Sequence, residues 1–168
     1  MRYFIIPLLL ITKMTFSQDS IWRNMKTIIG ELGKNGLIPN LLYDHYFFKQ
    51  HFGFHAGVGS TLFNKYFELR TATIGFYFLI GKKREFYDLG LELQYHYADN
   101  HAGDANRFIL GSPIDSYKGV FPFLTVGYRR YSNKGVLRMG LAEGLINEEY
   151  IPGAYLGYGI ILNRKKSN

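Results

Sequence analysis

Tyr87-Asp88-Leu89-Gly90-Leu91-Glu92-Leu93-Gln94-Tyr95-His96-Tyr97 decides the fold. Its odd positions read Tyr, Leu, Leu, Leu, Tyr, Tyr, and its even positions Asp, Gly, Glu, Gln, His. A helix would scatter the polar groups around its whole circumference, whereas an extended strand sorts them onto two opposite faces. The same alternation returns in Phe52-Gly53-Phe54-His55-Ala56-Gly57-Val58-Gly59, in Val136-Leu137-Arg138-Met139-Gly140-Leu141-Ala142 and in Leu156-Gly157-Tyr158-Gly159-Ile160.

Working outward from these stretches, period-two patterning predicts eight strands, near 26–33, 38–48, 51–61, 67–80, 86–98, 119–131, 135–144 and 154–162. No internal repeat, linker or low-complexity segment divides them, so 18–168 reads as one all-β domain. Lys49-Gln50, Lys82-Lys83-Arg84-Glu85 and Asn133-Lys134 read as tight turns, with Gly135 helping the last. Between them come longer joins, Lys34–Leu37, Leu62–Tyr66, Asp99–Lys118 and Ile146–Gly153. An even strand count, with short turns at one end and longer loops at the other, predicts an eight-stranded antiparallel up-and-down barrel of the transmembrane kind.

Composition agrees. The 168 residues include 14 Tyr, 14 Phe and 1 Trp, an aromatic fraction of 17% that no disordered tail would carry. The absence of cysteine excludes a disulfide scaffold, a zinc-thiolate centre and a thiol nucleophile. The net charge of +7 alone would permit nucleic-acid binding. The start of the chain speaks against that partner. Met1-Arg2-Tyr3-Phe4-Ile5-Ile6-Pro7-Leu8-Leu9-Leu10-Ile11 sets one cation before a short apolar run, and Thr15-Phe16-Ser17 supplies a small-x-small cleavage pattern. The run is too short to cross a bilayer, which takes about 20 residues, so 1–17 reads as a secretory signal peptide.

Alternation does not by itself say which face lies outside. Four features choose an apolar exterior. The polar face is rich in glycine (Gly53, Gly57, Gly59, Gly90, Gly140, Gly157, Gly159), which suits a crowded interior better than a watery surface. Aromatics recur near strand ends, at Tyr43, Phe47, Phe67, Tyr87, Tyr95, Tyr97, Tyr128, Tyr131 and Tyr155, as two headgroup-level girdles would require. Charges on the apolar faces, such as Arg70, sit near strand ends where a long side chain reaches the interface. Finally, a soluble lipocalin barrel opens with a Gly-x-Trp strand, whereas Trp22 here precedes the first strand and lacks that glycine.

With these features the chain resembles the small eight-stranded outer-membrane barrels of the OmpA/OmpX type over the whole of 18–168. The resemblance implies an outer-membrane location and contact with outer-membrane lipids. In the last strand Tyr155-x-Gly157-x-x-Ile160-x-Leu162 is similar to the C-terminal signal read by the barrel-insertion machinery, although the chain runs on through Arg164-Lys165-Lys166-Ser167-Asn168 instead of ending on an aromatic.

The inward face would hold Glu31, His55, Asp88, Glu92, His96, Arg129 and Arg138. A tight turn at Asn133-Lys134 sets Arg129 opposite Arg138, and symmetric closure of the long loop sets Asp88 opposite Arg129. Two facing guanidinium groups repel unless a carboxylate lies beside them, so Asp88, Arg129 and Arg138 are expected to form a structural plug towards the short-turn end. On that reading Arg129→Met with Arg138→Met keeps the fold, and Asp88→Ala lowers the heat-denaturation midpoint. An eight-stranded interior is only wide enough for side chains, which argues against a general pore.

Catalytic signals are sparse. His96-Tyr97-Ala98-Asp99-Asn100 resembles the His-x-Ser-Asn stretch of lipid A deacylases, where histidine activates a serine, but Ala98 stands at the serine position. Asp99, His101 and Asp104 match no metal-binding spacing, and no nucleotide, metalloprotease or nucleophile-elbow motif is present. No cofactor is expected. Lys82-Lys83-Arg84 and Arg164-Lys165-Lys166, with Lys49 and Lys134, make the short-turn end basic and suited to anionic headgroups or periplasmic polymers. The sequence therefore predicts a non-enzymatic barrel whose loops serve envelope integrity, adhesion or docking to an envelope protein. The alternatives are a lipid-modifying enzyme and a soluble exported ligand-binding barrel.

Overall fold

The structure, a computed structural model, describes residues 24–34, 38–47, 51–61, 67–82, 84–100, 108–109, 112–113, 117–146 and 149–162. The signal-peptide stretch 1–17, Trp22, Lys49, His101, Asp104 and Arg164–Lys166 lie outside the described residues.

The strands are β1 (Met25–Lys34), β2 (Ile38–Phe47), β3 (Phe52–Ser60), β4 (Phe67–Lys82), β5 (Glu85–Asn100), β6 (Phe108–Ile109), β7 (Ser112–Pro113), β8 (Tyr117–Tyr131), β9 (Gly135–Ile146) and β10 (Glu149–Ile161). The two-residue strands β6 and β7 pair only with each other. The other eight close a barrel in the order β1-β10-β9-β8-β5-β4-β3-β2, with every neighbouring pair antiparallel. Closure leaves the barrel no open sheet edge, so its strands need no covering helix to satisfy their backbone groups.

The connections correct the expected division into short and long. At the turn end lie 48–51, 83–84 and 132–134. At the loop end, 35–37 and 147–148 are equally short, and only 61–66 and 101–116 are longer. The acidic, proline-bearing stretch before Gly153 reads as a loop, yet β10 begins at Glu149 and Pro152 pairs with Glu143. Proline removes a donor from a ladder, and at a strand's outer end one lost bond is tolerated. Pro122 sits similarly, one residue beyond the point where β8 first meets β9 at Phe123 and Gly144.

Register on β4, β5 and β8 displays the outer face row by row. Lys82, Glu85 and Arg130 stand side by side, followed by Ile80, Tyr87 and Tyr128. Next come Phe78, Leu89 and Val126, then Phe76, Leu91 and Leu124, then Ile74, Leu93 and Pro122. Ala72, Tyr95 and Val120 follow, and Arg70, Tyr97 and Lys118 close the series at the loop end. Leu91, Leu124 and Leu141 are 55%, 58% and 67% exposed, whereas Glu92, Arg129 and Arg138 are wholly buried. The fold is thus turned inside out relative to a protein built for water.

Eight residues separate Tyr87 from Tyr95. At about 3.3 Å per residue and a strand tilt of about 40°, they span about 20 Å along the barrel axis, close to the apolar band of a membrane barrel.

Two girdle assignments are corrected. Tyr131 and Tyr155 are buried, pointing into the barrel. Their parity explains it, because Tyr131 shares its face with Arg129 and Tyr155 with Gly157. Tyr87, Tyr95, Tyr150 and Tyr158 are exposed, Tyr43, Phe47, Tyr97 and Tyr128 are half-buried, and the side chain of Phe67 lies outside the described residues. At the turn end the interior is closed by an apolar cluster containing Met25, Tyr46, Leu79, Phe86, Tyr131 and Val136.

Candidate functional site

The inward positions of β1, β2, β3, β5, β8 and β9 converge on one buried ionic network above that apolar closure. Arg129 and Arg138 face each other across β8 and β9. Asp88 pairs with Gly127, not with Arg129, so the long connection closes two residues away from the symmetric expectation. A shift of two residues keeps every side chain on its own face, so Asp88 still reaches both guanidinium groups on a diagonal.

Arg129 donates from Nε to Asp88 Oδ2 at 2.6 Å and from Nη1 to Asp44 Oδ1 at 2.9 Å. Its guanidinium carbon lies 3.7 Å from the centroid of the Tyr77 ring. Arg138 donates from Nε to Asp88 Oδ2 at 3.3 Å, from Nη1 to Glu31 Oε2 at 2.9 Å and from Nη2 to Glu92 Oε1 at 3.4 Å. Tyr155 donates its hydroxyl to Asp88 Oδ1 at 3.1 Å, beneath the Arg138 guanidinium. Tyr77 and Thr27 donate to Asp44 Oδ2 at 3.0 and 3.2 Å. Each arginine therefore makes charge-assisted hydrogen bonds to more than one carboxylate, which the planar guanidinium with its five donors is suited to do.

Towards the loop end the network continues through Lys34, whose Nζ lies 3.1 Å from Glu31 Oε1 and 2.8 Å from Glu92 Oε2. His55 Nε2 lies 3.1 Å from Glu92 Oε1, and the His55 ring stacks on Tyr77. Gln94 donates to Glu92 Oε2 at 2.8 Å and lies 3.1 Å from His96 Nε2 through Oε1. A small cavity bordered by Lys34, Asn40, Thr71, Thr73 and Gln94 has room for about one water.

Space for these large groups comes from glycine. A methyl group on Gly127 would collide with Tyr155 Oη and Asp88 Oδ1, and one on Gly140 with the same hydroxyl. Gly127 and Gly140 are directly paired, so the two strands together leave the slot that Tyr155 fills.

The seven residues read as inward from sequence are all buried, and Asp88, Arg129 and Arg138 meet within hydrogen-bonding distance. Sequence reasoning missed Asp44 and Lys34. On β2 both faces are mixed, with Leu42, Asp44 and Tyr46 inside and Leu41, Tyr43 and His45 outside, so no amphipathic signal exists to be read. In the sequence Lys34 reads as the first residue of a loop. Gly33 and Lys34 have φ of 113° and 62°, and this left-handed pair coils the end of β1 so that both residues are buried.

In the suggested insertion signal, Tyr155 and Gly157 face inward while Ile160 and Leu162 face outward. His96 packs its ring against Phe123 and lies beside Gln94 inside the barrel. Ala98 is buried on the same face and offers no hydroxyl for a histidine to activate. Among the described residues no cluster of His, Asp and Glu could hold a metal ion.

Among solved structures, the chain is similar to the N-terminal β-barrel domain of Pseudomonas aeruginosa OprF, with a TM-score of 0.63 at 12% identity over 83% of this chain and 98% of that one. It is also similar to Neisserial surface protein A, with a TM-score of 0.50 at 12% identity over 83% of this chain and 94% of the other. At such identities the likeness concerns the fold, which is that of the small eight-stranded outer-membrane barrels. No family model matches the sequence, and no curated protein matches it significantly.

Proposed function

We propose that this chain is a non-enzymatic outer-membrane barrel, exported by cleavage of 1–17, that anchors surface loops in the lipid bilayer. The observation carrying this reading is the inverted distribution of polarity: wholly buried Arg129 and Arg138 inside, and on β4, β5 and β8 an uncharged outer band of mainly Leu, Phe, Ile and Val, bounded by tyrosines and then by charges. Water would destabilise such an exterior, whereas hydrocarbon leaves it unpenalised and makes a closed, internally bonded sheet obligatory.

The buried network gives the barrel a task it performs without moving parts. Side chains fill the interior, so the barrel acts as a rigid peg and not as a conduit. Activity then belongs to what the peg displays, chiefly the connection 101–116, in envelope integrity, adhesion or docking to an envelope protein. Its partners are outer-membrane lipids and, during assembly, the insertion machinery, for which Tyr155, Gly157, Ile160 and Leu162 are the suggested recognition residues. Nucleic acid is not among them.

Membrane fractionation followed by a gel with and without boiling tests the reading. The protein is expected in the outer-membrane fraction, with a mobility that changes on boiling. Recovery as a detergent-free soluble monomer would overturn it. A lipid-hydrolysis assay with His96→Ala as control addresses the enzymatic alternative, for which turnover abolished by that substitution would be required.

A further inference from the structure

Among the described residues, the two rims of the barrel differ in charge. At the turn end, Lys26, Lys82, Arg84, Arg130 and Lys134 are exposed, accompanied by the single exposed carboxylate Glu85 among the described residues. Among the described residues at the loop end, Arg70 and Lys118 are outnumbered by Glu68, Asp99 and Glu143. Cations at the turn end are also gathered on one side. Arg84 donates from Nη2 to Asn133 Oδ1 at 3.0 Å, and Tyr131 N donates to Arg84 O at 2.7 Å, which ties the β4–β5 turn to the β8–β9 turn and holds Arg84 on Asn133, the residue before Lys134. Lys82 and Arg130 flank Glu85 in a single outward row, about 10 Å apart at the strand spacing.

Directly below this row, on the side of the apolar band, stand Tyr87 and Tyr128, their rings 6.2 Å apart edge to face. A ring with a polar tip settles at headgroup depth, so the cations are held just beyond it, at the level of lipid phosphates. One carboxylate, Glu85, stands between Lys82 and Arg130, so the row keeps a net positive charge. The contact of Glu85 with Arg130 is 3.8 Å long between side chains 60% and 65% exposed, a pairing worth little in water that leaves the guanidinium able to turn to another anion.

We propose that Lys82, Arg84, Arg130 and Lys134, over the Tyr87–Tyr128 pair, form a binding surface for the phosphates of anionic phospholipids in the leaflet at the turn end. The inference rests on the membrane placement proposed above and adds a lipid class and a leaflet to it. The opposite rim carries no such excess of cations, so among the described residues positive charge is concentrated at the turn-end leaflet.

Native mass spectrometry tests this on the full-length protein refolded with equal parts phosphatidylglycerol and phosphatidylcholine. The unmodified protein is expected to retain phosphatidylglycerol at least about fivefold over phosphatidylcholine, the scale of one basic residue near a membrane surface. K82Q/R84Q/R130Q/K134Q should bring the two lipids to parity, while R70Q/K118Q at the loop end keeps the preference. Boiling-dependent mobility verifies that each variant is folded; should the fourfold variant fail, K82Q/R130Q is read instead, with a reduced preference expected. An unmodified protein that sits in the membrane yet shows no preference overturns this inference alone, whereas a protein that never enters the membrane overturns the placement. Preference surviving in the turn-end variants, or lost equally in R70Q/K118Q, overturns the assignment of the surface. Complete displacement of phosphatidylglycerol by millimolar inorganic phosphate would mark a free-anion site and overturn the lipid.

Discussion

Arg129 and Arg138 stand directly opposite each other on β8 and β9, and a single oxygen, Asp88 Oδ2, lies 2.6 Å from the Nε of one and 3.3 Å from the Nε of the other. Two like charges on neighbouring strands would repel by themselves. Asp88 converts that repulsion into a bridge, and Asp44 and Glu31 take the outer sides of the two arginines.

Removing the bridge should therefore be costly. Asp88→Asn leaves two buried guanidinium groups sharing fewer charges, and breaking a buried pair from one side costs about 3–5 kcal/mol. A lower heat or urea midpoint, followed by the mobility shift of the folded barrel, is the expected result. An unchanged midpoint would show that the network does not stabilise the fold.

Removing both arginines should cost more, not less. The sequence alone suggests that Arg129→Met with Arg138→Met keeps the fold, because buried ion pairs also lose their hydration and the net worth of the cluster would be small. In the structure the double change leaves Glu31, Asp44, Asp88 and Glu92 buried, with Lys34 and His55 as their remaining basic ion-pair partners among the described residues. Uncompensated buried carboxylates are among the largest single sources of destabilisation. The double variant is expected to unfold at a lower urea concentration than Asp88→Asn.

Space, as well as charge, is fixed at this level. Gly127→Ala forces Tyr155 and Asp88 to shift, at a cost of about 1–3 kcal/mol for overpacking. Tyr155→Phe alone loses the hydrogen bond to Asp88 Oδ1, about 1 kcal/mol. Combining the two should cost less than their sum, because deleting the hydroxyl removes one collision. Additive urea midpoints would argue against a shared slot.

On the outer face, position along the strand sets the penalty. Leu91→Arg, in the central row with Phe76 and Leu124, should destabilise the lipid-refolded protein by about 2–4 kcal/mol. Arg70→Leu, at the loop-end rim where Arg70 pairs with Glu68, should change stability by less than about 1 kcal/mol. Equal costs at the two positions, measured by refolding into vesicles, would contradict the depth assignment.

Much of this was legible in the chain before folding. Alternation on β5 gave Asp88, Glu92 and His96 one face and Leu89, Leu91 and Leu93 the other, because a strand's side-chain period is fixed at two. The same arithmetic held wherever one face was uniformly apolar. It failed on β2, where both faces mix apolar and polar groups and Asp44 carries no signal. It failed at Lys34, where a left-handed turn of the backbone suspends the alternation. Parity was also sufficient to place Tyr131 and Tyr155 inside; their nearness to strand ends suggested a girdle only because rim and interior aromatics look alike in one dimension.

The sequence by itself determined the strand period, the eight strands of the barrel and the face each uniformly alternating residue takes, because these depend on neighbours in the chain. Tertiary structure alone decided who meets whom: that the long connection closes with Asp88 against Gly127, that Asp44 approaches Arg129 from β2, and that Lys34 reaches Glu92 across the barrel. Those contacts depend on stagger around a closed cylinder, a sum of seven connections and one closing seam that no local pattern encodes.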